Sequence, residues 1–599
     1  MTKRSLRIGG ASGFWGETAM ATCQLAEQGD VDFIVYDYLA EVTMSIMARA
    51  RTQSPEQGYA SDFVTAALAP NLKTIADKGI RIVSNAGGVN PLACGDAVQA
   101  LINQHNLDLT VAVVTGDDLI AEREAFSEYR EMFTDQSFPP TDRIASINAY
   151  LGAFPIAEAL NRGADIVITG RCVDSAVTLG ACIHHFGWSA TAFDQLAAGS
   201  IAGHILECGP QATGGNFTDW LSIADSMHNI GYPIAEVSDD GVFTIGKPKD
   251  TGGVVNRGTV AEQLLYEVGD PQGYTLPDVI CDFSEVAITE IDRDLVRVSG
   301  CRGYAPPSDY KVSATWHDGF RGGQTLLFYG DQASDKARLF AEATLKRAEK
   351  GLHASDLPPF DQTLIELIGD ESHYGAARKM KSAREVQLKV AARHASPKGI
   401  GILLKETIGA ALAGPPSLTS FAGGRPKPSP VVRLFSFLIP KPDVLPMVHI
   451  NGDQFRCELR DANGEFSVTP HKAPAITDPD MPTTPVRLIQ IAWGRSGDKG
   501  DKANIGIIAR RPEYLPYIWQ DLTPERVQSR FAHFTDQPVD RYLAPGFSAI
   551  NFVLHDVLGG GGIASLRNDP QGKGYAQLLL DIEVELPIAM VEELEHGHF

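Results

Sequence analysis

The 599-residue sequence is short of several features that mark specialised classes of protein. It has eight cysteines and no Cys-x-x-Cys pair, which argues against a disulfide-stapled scaffold and against a zinc ribbon. No apolar run approaches the roughly 18 residues of a membrane span, and the opening MTKRSLRIGG lacks the apolar core of a signal peptide. We therefore expect reduced thiols, a cytoplasmic location and no membrane contact.

Positive charge is also scarce. The chain has 52 Lys and Arg against 74 Asp and Glu, for a net charge of −22 and a pI near 5.1. Nucleic-acid partners require a basic face that releases counterions, so none is expected. An anionic ligand would need a local basic pocket. The length predicts two to four domains, and we expect a homo-oligomer.

The first part of the chain alternates strand-like apolar runs with helical patterns. The strand-like runs include SLRIGG, VDFIVYDY, RIVSNAGG, LTVAVVTG and ADIVITG. This order predicts an α/β core over residues 1–235 with a parallel sheet, and ligands bind such sheets where the strands end. The candidate site residues at these strand ends are Asp37, Glu41, Asn85, Gly87, Gly88, Arg171 and Asp174.

Three further regions follow the core. Residues 236–470 are more strand-rich and predict an α+β continuation of the same large domain. Residues 471–485, HKAPAITDPDMPTTP, read as a Pro-rich linker. A separate C-terminal domain is expected over residues 486–599.

The stretch GHILECGPQATGGNF is the strongest candidate for catalysis. On a helix, His204, Glu207 and Cys208 share one face, a spacing that can present an acid/base pair, metal ligands or a structural cluster. A thiol in the last helical turn is a poor nucleophile, because the helix dipole raises its pKa. The residues that follow were considered as amide donors to an anion: Thr213, Gly214, Gly215 and Asn216.

A second cysteine lies in TGRCVDSA. Here Cys172 follows Arg171 at the start of a helix, which favours either a thiolate or a small buried side chain, and Asp174 is expected to cap the helix. Asp117 and Asp118 after LTVAVVTG are either a carboxylate pair with one raised pKa or, as we favour, two solvated loop residues.

The segment GGASGFWG resembles a dinucleotide-binding turn. Gly10, Gly13 and Gly16 follow a short strand, and the acidic Asp37 comes about 20 residues later. However, none of the sixteen tyrosines is followed by Lys at i+4, the spacing short-chain dehydrogenases use for proton transfer. Close packing of strand and helix is the alternative explanation for the glycines.

The stretch GRSGDKGDKANIG lies between two strand-like runs. Its glycines together with Arg495 and Lys499 suggest an oxyanion nest, whereas its aspartates also fit a solvated hairpin. Basic glycine-bearing loops recur at Lys247 in KPKDTGG and Arg425 in FAGGRPKP. Such loops in an acidic protein make a coenzyme A thioester a candidate substrate; no cofactor and no metal are predicted.

Eight motifs in the same order resemble the acyclic terpene utilisation (AtuA) family. They are RIGGASGFWGE, DYLAEVTM, NAGGVNP, TGRCVDSA, ECGPQATGGNF, TVAEQLLYEVGDP, GRSGDKGDKANIG and NFVLHDVLGGGG. The resemblance implies a long α/β core, a small C-terminal ferredoxin-like domain and catabolism of citronellol- and geraniol-type terpenoids through acyl-CoA intermediates. It supplies no catalytic residues.

We therefore expect an enzyme that acts on a small branched carboxylic acid or its CoA thioester, by acid/base chemistry of the hydratase or lyase kind. His204 and Glu207 are the proton-transfer candidates, and Arg171 with glycine-rich amides would hold a carboxylate or enolate. The alternatives are a non-catalytic subunit of an acyl-CoA-processing complex and a nicotinamide-dependent oxidoreductase.

Overall fold

The computed structural model describes residues 5–380, 382–420, 424, 426–458, 466–476, 478 and 480–596. Its strands up to residue 456 are β1 Ser5–Gly10, β2 Phe33–Tyr36, β3 Arg81–Ser84, β4 Val111–Thr115, β5 Ile144–Ala149, β6 Ile166–Thr169, β7 Ile234–Ser238, β8 Phe243–Gly246, β9 Tyr274–Thr275, β10 Ile280–Asp282, β11 Ala287–Asp292, β12 Leu295–Ser299, β13 Arg302–Tyr304, β14 Asp309–Tyr329, β15 Gln362–Ile368, β16 Glu385–His394, β17 Leu418–Thr419, β18 Ser429–Pro440, β19 Met447–Ile450 and β20 Asp453–Arg456. The helices of this part are α1 Met20–Gln28, α2 Glu41–Gln53, α3 Leu72–Lys78, α4 Pro91–His105, α5 Phe154–Asn161, α6 Ala176–Phe186, α7 Phe193–Leu206, α8 Arg257–Leu264, α9 Ala333–His353 and α10 Pro397–Gly409.

The C-terminal part has six further strands and five helices in the described residues. The strands are β21 Thr483–Arg487, β22 Ala492–Lys499, β23 Lys502–Ala509, β24 Val539–Ala544, β25 Ala549–Leu554 and β26 Glu583–Pro587. The helices are α11 Leu488–Ile491, α12 Leu515–Asp521, α13 Pro524–Arg530, α14 Tyr575–Leu580 and α15 Ile588–His596.

An eleven-stranded sheet forms the centre of the large domain. Its order is β11-β12-β8-β7-β1-β2-β3-β6-β4-β19-β20, and the five strands from β1 to β4 in this order are parallel. Alternate residues of β2 enter two hydrophobic clusters, Phe33 and Val35 on one face and Ile34 and Tyr36 on the other. Burial on both faces explains why these strands are continuous apolar runs.

This sheet confirms the α/β fold class. Antiparallel strands from the region after residue 233 extend it on both sides, with β7 beside β1 and β19 beside β4. The strand-rich region therefore shares a sheet with the core. The strand β6 lies between β3 and β4. Because the five strands β1, β2, β3, β6 and β4 are parallel, their carboxyl ends meet at one edge of the sheet.

A six-stranded sheet forms the second layer, around the 21-residue strand β14. The first half of β14 pairs with β5 and its second half with β16, while β18 runs along much of its length. The helices α9 and α10 cover this sheet around Phe340 and Leu403. The strand β14 thus joins the core to the middle region.

The C-terminal domain is a small α+β unit. Its antiparallel sheet has the order β22-β23-β25-β24, and β21 pairs with β26 in a separate ladder. The run VRLIQIAW is the strand-like run that precedes GRSGDKGDKANIG. It is not one strand but is broken by α11, because Leu488 and Ile491 are both fully buried in the domain core and helical spacing lets both enter it. The motif GRSGDKGDKANIG forms the facing ends of β22 and β23 with their turn.

Candidate functional site

Polar side chains from neighbouring parallel strands meet at the carboxyl edge of the large sheet. Asp37 follows β2 and Asn85 follows β3, and both are buried. The side-chain amide of Asn85 donates to Oδ1 of Asp37, while Asn85 Oδ1 accepts the amide of Tyr38 at 2.7 Å. The structure therefore brings two predicted site residues into direct contact.

Arg171 follows β6 at the same edge and is only 3% exposed. Its Nη1 donates to Asp174 Oδ1 at 2.8 Å and to the carbonyl of Leu39 at 2.9 Å, and its guanidinium lies 4.2 Å from the centre of the Tyr150 ring. The expectation that Asp174 caps a helix is wrong: α6 begins at Ala176, and the carboxylate of Asp174 is held by the guanidinium instead.

Asp117 corrects a second expectation, because it is buried rather than solvated. Its Oδ2 accepts the amide of Arg171 at 2.8 Å and the side-chain amide of Asn148 at 2.9 Å. Burial raises the pKa of Asp117 to about 7. Asp118 pairs with Arg51 at 2.9 Å. Asp117 therefore fixes the loop that carries Arg171.

The pair His204–Glu207 lies at the end of α7. His204 Nδ1 is 2.8 Å from Glu207 Oε1, and the side chains are 1% and 9% exposed. Within the described residues, His204 Nε2 and Glu207 Oε2 are buried and have no hydrogen-bond partner. Each member of the pair therefore has one polar atom that this part of the chain leaves unsatisfied.

Glycines after β1 bring the end of α7 against this edge. A Cβ on Gly10 would lie 2.7 Å from the carbonyl oxygen of Leu206, and one on Gly13 would lie 3.0 Å from Cα of Cys208. The amide of Gly10 donates to Pro233, and that of Gly13 to Glu17. The glycines serve close packing, and these two amides are already used, so the geometry does not favour a dinucleotide phosphate in this turn.

Three ionisable groups of the edge have shifted pKa values. Burial, together with the charges of Asp174 and Glu207, raises the pKa of Asp37 well above its ordinary value. Burial also raises the pKa of Glu207. Burial alone would lower the pKa of His204, but the adjoining Glu207 carboxylate more than offsets it, and the pKa is raised. A carboxyl group and an imidazole that share a hydrogen bond and whose pKa values are both raised are suited to proton transfer.

Sequence reasoning missed two residues near the pair. The ring of Tyr274 lies 5.5 Å from that of His204, and the charge of Glu267 acts on both His204 and Glu207. Glu267 belongs to the motif TVAEQLLYEVGDP, which carried the family resemblance but no chemical assignment. Lys499 reaches the same place from the C-terminal domain, with Nζ 5.9 Å from the centre of the Tyr274 ring.

The motif GRSGDKGDKANIG is mainly a docking hairpin. Arg495 is buried, and its Nη1 donates to the carbonyl of Asn216 at 2.9 Å, with a longer contact to that of Gly215 at 3.5 Å. A Cβ on Gly497 would lie 2.5 Å from the Tyr266 ring. Asp501 accepts the amides of Leu558 and Gly560, joining the turn to the glycine run of the same domain.

The anion-binding prediction for Thr213–Asn216 and Arg495 therefore needs correction. The amides of Gly214 and Gly215 donate to Gln211 and Pro210, and Thr213 donates to the carbonyls of Pro210 and Gly231. Backbone carbonyls of the segment accept the hydrogen bonds of Arg495. These predicted binders contact one another because the segment and the hairpin form an interface between the two domains.

Glu262 is a buried carboxyl group beside this interface, where its Oε1 accepts the amide of Thr218 at 3.1 Å. Burial raises the pKa of Glu262 from 4.5 to about 7. Between about pH 4.5 and 7, Glu262 holds a proton in the folded chain and releases it in the unfolded chain. The stability that Glu262 contributes is therefore complete below about pH 4.5 and is lost as the pH rises through about 7.

Glu262→Gln is expected to remove this dependence. Relative to wild type, its free energy of unfolding should rise by up to about 3 kcal/mol at pH near 8 and change little near pH 4.5. Urea unfolding at the two pH values measures the difference. An equal difference in the free energy of unfolding at the two pH values would show that the raised pKa of Glu262 is not the cause.

Gly87 and Gly88 were predicted to bind an anion, but the structure gives them a packing role. A Cβ on Gly87 would lie 2.4 Å from the carbonyl oxygen of Thr169. Gly88 has φ +56°, and its Cβ would lie 2.2 Å from Sδ of Met47. The tight turn after β3 therefore depends on the absence of side chains.

Gly87→Ala is expected to lower the free energy of unfolding by roughly 3 kcal/mol, because a backbone carbonyl must move. Urea unfolding measures the change. Gly401→Ala, in α10 with nothing within 4 Å of its Cβ, is the control and should be neutral or stabilising. Wild-type stability of Gly87→Ala would show that the turn adjusts freely.

The remaining candidates are mostly structural. Burial raises the pKa of Cys172 to about 12, which overturns the thiolate interpretation, and also raises that of Cys208. Lys247 is buried, donating to Thr251 and pairing with Asp294 at 3.3 Å. Glu41 begins α2, but its side chain lies outside the described residues, as does Arg425.

In the parts of the chain that the structure describes, no three His, Cys, Asp or Glu side chains form a group that could hold a metal ion. Across the same residues, no helix combines the length and the apolar character needed to cross a membrane.

Together, the fold and the site define a two-domain α/β protein with an acid/base cluster at the carboxyl edge of its parallel sheet. The model of the acyclic terpene utilisation family protein AtuA matches residues 6–450, and that of the AtuA ferredoxin-like domain matches residues 486–585. The chain belongs to the AtuA family, which confirms the resemblance and the ferredoxin-like C-terminal domain. No curated protein and no solved structure gave a match.

Proposed function

We propose that this protein is an enzyme that transfers protons on a small branched carboxylic acid or its CoA thioester, in a reaction of the hydratase or lyase kind. Membership of the AtuA family supports a role in acyclic terpene utilisation. The observation that carries the chemical proposal is the buried His204–Glu207 pair, in which each residue has one polar atom without a partner in the described part of the chain.

The pair is the proton-transfer group in this proposal. A protonated imidazole beside a carboxyl group of raised pKa can give a proton to the substrate and take one back. The buried Asp37 is a further acid of the site, since the charge of Glu207 acts on it. Water exclusion strengthens these interactions, because buried charges are weakly screened.

The cations of the site are proposed to hold the negative charge of the substrate. Arg171 lies at the edge beside Asp174, and Lys499 lies beyond the Tyr274 ring. An enolate or carboxylate oxygen near these groups would be stabilised as its charge develops. The active site would then be built from both domains, since Lys499 belongs to β22.

A thermal-shift screen of the full chain tests the substrate class. Citronellyl- and geranyl-type acids and their CoA thioesters are compared with NAD(H), NADP(H) and straight-chain thioesters, because a ligand of the native state raises the melting temperature. Stabilisation by branched compounds is expected. Stabilisation by nicotinamides alone would favour an oxidoreductase, and a shift only with a partner protein would favour a non-catalytic subunit.

Proton transfer itself is followed in D₂O. A thioester that binds is incubated with the protein, and deuterium incorporation or addition of water is measured by mass spectrometry. If a thioester binds but neither change is detected, the proposed chemistry is contradicted, while the binding result still holds.

A further inference from the structure

A large cavity lies away from the His204–Glu207 pair. It is a cleft of about 880 Å³ beside the middle of β14. We call it the arginine cleft and define it by Arg143, His317, Asp318, Phe320, Arg393 and Arg433. Its volume falls in the range of small-molecule sites.

A bulge in β14 shapes this cleft. The register with β18 shifts between His317 and Phe320, and Gly319 in the bulge has φ +73°. A Cβ on Gly319 would lie 2.9 Å from the carbonyl oxygen of His394. The bulge turns the strand and places His317 and Asp318 at the cavity, a use of bulges that is common beside functional sites.

Positive charge is concentrated here in an otherwise acidic protein. Asp318 Oδ2 accepts both Arg393 Nη2 at 2.6 Å and Arg433 Nε at 2.5 Å, so one carboxylate serves two guanidiniums. Arg143 lies on an exposed turn of the cleft wall. With Asp361 also counted, the lining holds three guanidiniums and two carboxylates.

One of these arginines is buried with a donor left over. The side chain of Arg393 is 9% exposed, and its Nε has no hydrogen-bond partner among the residues that the structure describes. A buried guanidinium donor without an acceptor is costly, and an oxygen of a bound ligand would satisfy it. The cleft thus has the positive groups and the room for an anionic ligand.

We propose that the arginine cleft binds a phosphate-bearing small molecule of nucleotide size, with its phosphate oxygens on Arg143, Arg393 and Arg433. Planar guanidiniums suit phosphate because they donate two parallel hydrogen bonds. The ring of Phe320 lines the same cavity and offers an apolar surface to the rest of the ligand.

The cleft is distinct from the proposed catalytic site. On β14, Ser313 and Thr315 border a narrow gap beside Arg171, and His317 follows them on the same face of the strand. Thr315 lies two residues before His317, about 7 Å along the strand, so the gap and the cleft are neighbours, but they share no lining residue. The proposal therefore does not depend on the chemistry assigned to His204 and Glu207.

Isothermal titration calorimetry of the full chain with pyrophosphate, ADP and coenzyme A tests whether the arginine cleft binds phosphate. Wild type is expected to bind pyrophosphate and ADP, and Arg433→Gln and Arg143→Gln should each weaken binding about tenfold. The exposed Arg143 lies in a turn, so its variant is expected to fold even if another does not. Arg338→Gln, an exposed site on α9, controls for the loss of one charge.

The ligands also distinguish the source of the phosphate. Coenzyme A binding that is weakened in Arg433→Gln would assign the nucleotide end of a thioester to the cleft, whereas ADP binding without coenzyme A binding would assign a free nucleotide. Glu207→Gln should bind pyrophosphate like wild type, which separates this test from the proposed catalysis.

Two results would overturn the proposal. One is the absence of binding by all three ligands up to about 1 mM, the upper range of ordinary substrate affinities. The other is binding that Arg433→Gln and Arg143→Gln leave unchanged, or that the control Arg338→Gln weakens equally.

Discussion

Glu207→Gln is expected to lower kcat/KM by about 10²- to 10⁴-fold on the substrate identified by the binding screen, the range ordinarily lost with a general acid or base. Glutamine keeps the shape of the side chain and an oxygen able to contact His204 Nδ1, but it cannot exchange a proton. The buried position and the 2.8 Å contact between the two residues make this the substitution with the largest effect on activity.

The control is a second buried glutamate changed in the same way. Glu262→Gln removes another buried carboxyl group whose pKa is raised, beside the domain interface, and should leave kcat/KM near wild type. His204→Gln should match Glu207→Gln, because a coupled pair acts as one unit.

The pH profile separates catalysis from a structural effect. If the pair carries the proton, Glu207→Gln should also remove one limb of the dependence of kcat/KM on pH. Activity within about threefold of wild type, less than 1 kcal/mol in barrier height, would exclude Glu207 as the acid or base.

Asn504→Ala should be among the most destabilising single changes at the domain interface. Asn504 is buried in β23; its Nδ2 donates to the carbonyl of Leu265 at 2.5 Å and to Asn551 Oδ1 at 3.0 Å, and its Oδ1 accepts the amide of Glu267 at 2.9 Å. Alanine would leave three buried groups unpaired, at roughly 4 kcal/mol in total.

Hydrogen exchange of β23 and of residues 265–269 measures this effect. Both segments should exchange faster in Asn504→Ala, because Asn504 and Asn551 hold the chain from Leu265 to Gly269 against the small domain. Arg293→Gln, with a side chain 95% exposed, is the control and should change little. Unchanged exchange in Asn504→Ala would show that packing alone holds the domains together.

Local patterns predicted the local elements well. The apolar runs ending before Asp37, Asn85 and Arg171 are parallel strands, and their shared edge follows from the parallel arrangement. The spacing of His204 and Glu207 likewise predicted their contact, since positions three apart on a helix are neighbours.

Contacts between residues that lie far apart in the sequence could not be predicted in this way. Lys499 and Tyr274 are more than two hundred positions apart, and only the docking of the small domain brings them together. A glycine in a turn gives the same sequence signal whether it faces a ligand or another part of the chain. Gly87 and Gly88 were therefore predicted to bind an anion, but the structure packs them against Thr169 and Met47. The burial of Asp117 likewise comes from β5 and the Arg171 loop.

The pairing of β4 with β19 has a consequence for synthesis on the ribosome. Thr115 of β4 lies opposite Met447, so one side of β4 has no partner strand until most of the chain has been made. At ordinary elongation rates this interval is about 20 to 70 s. An open strand edge readily pairs with other chains. The nascent protein is therefore expected to need a chaperone until residue 450 emerges.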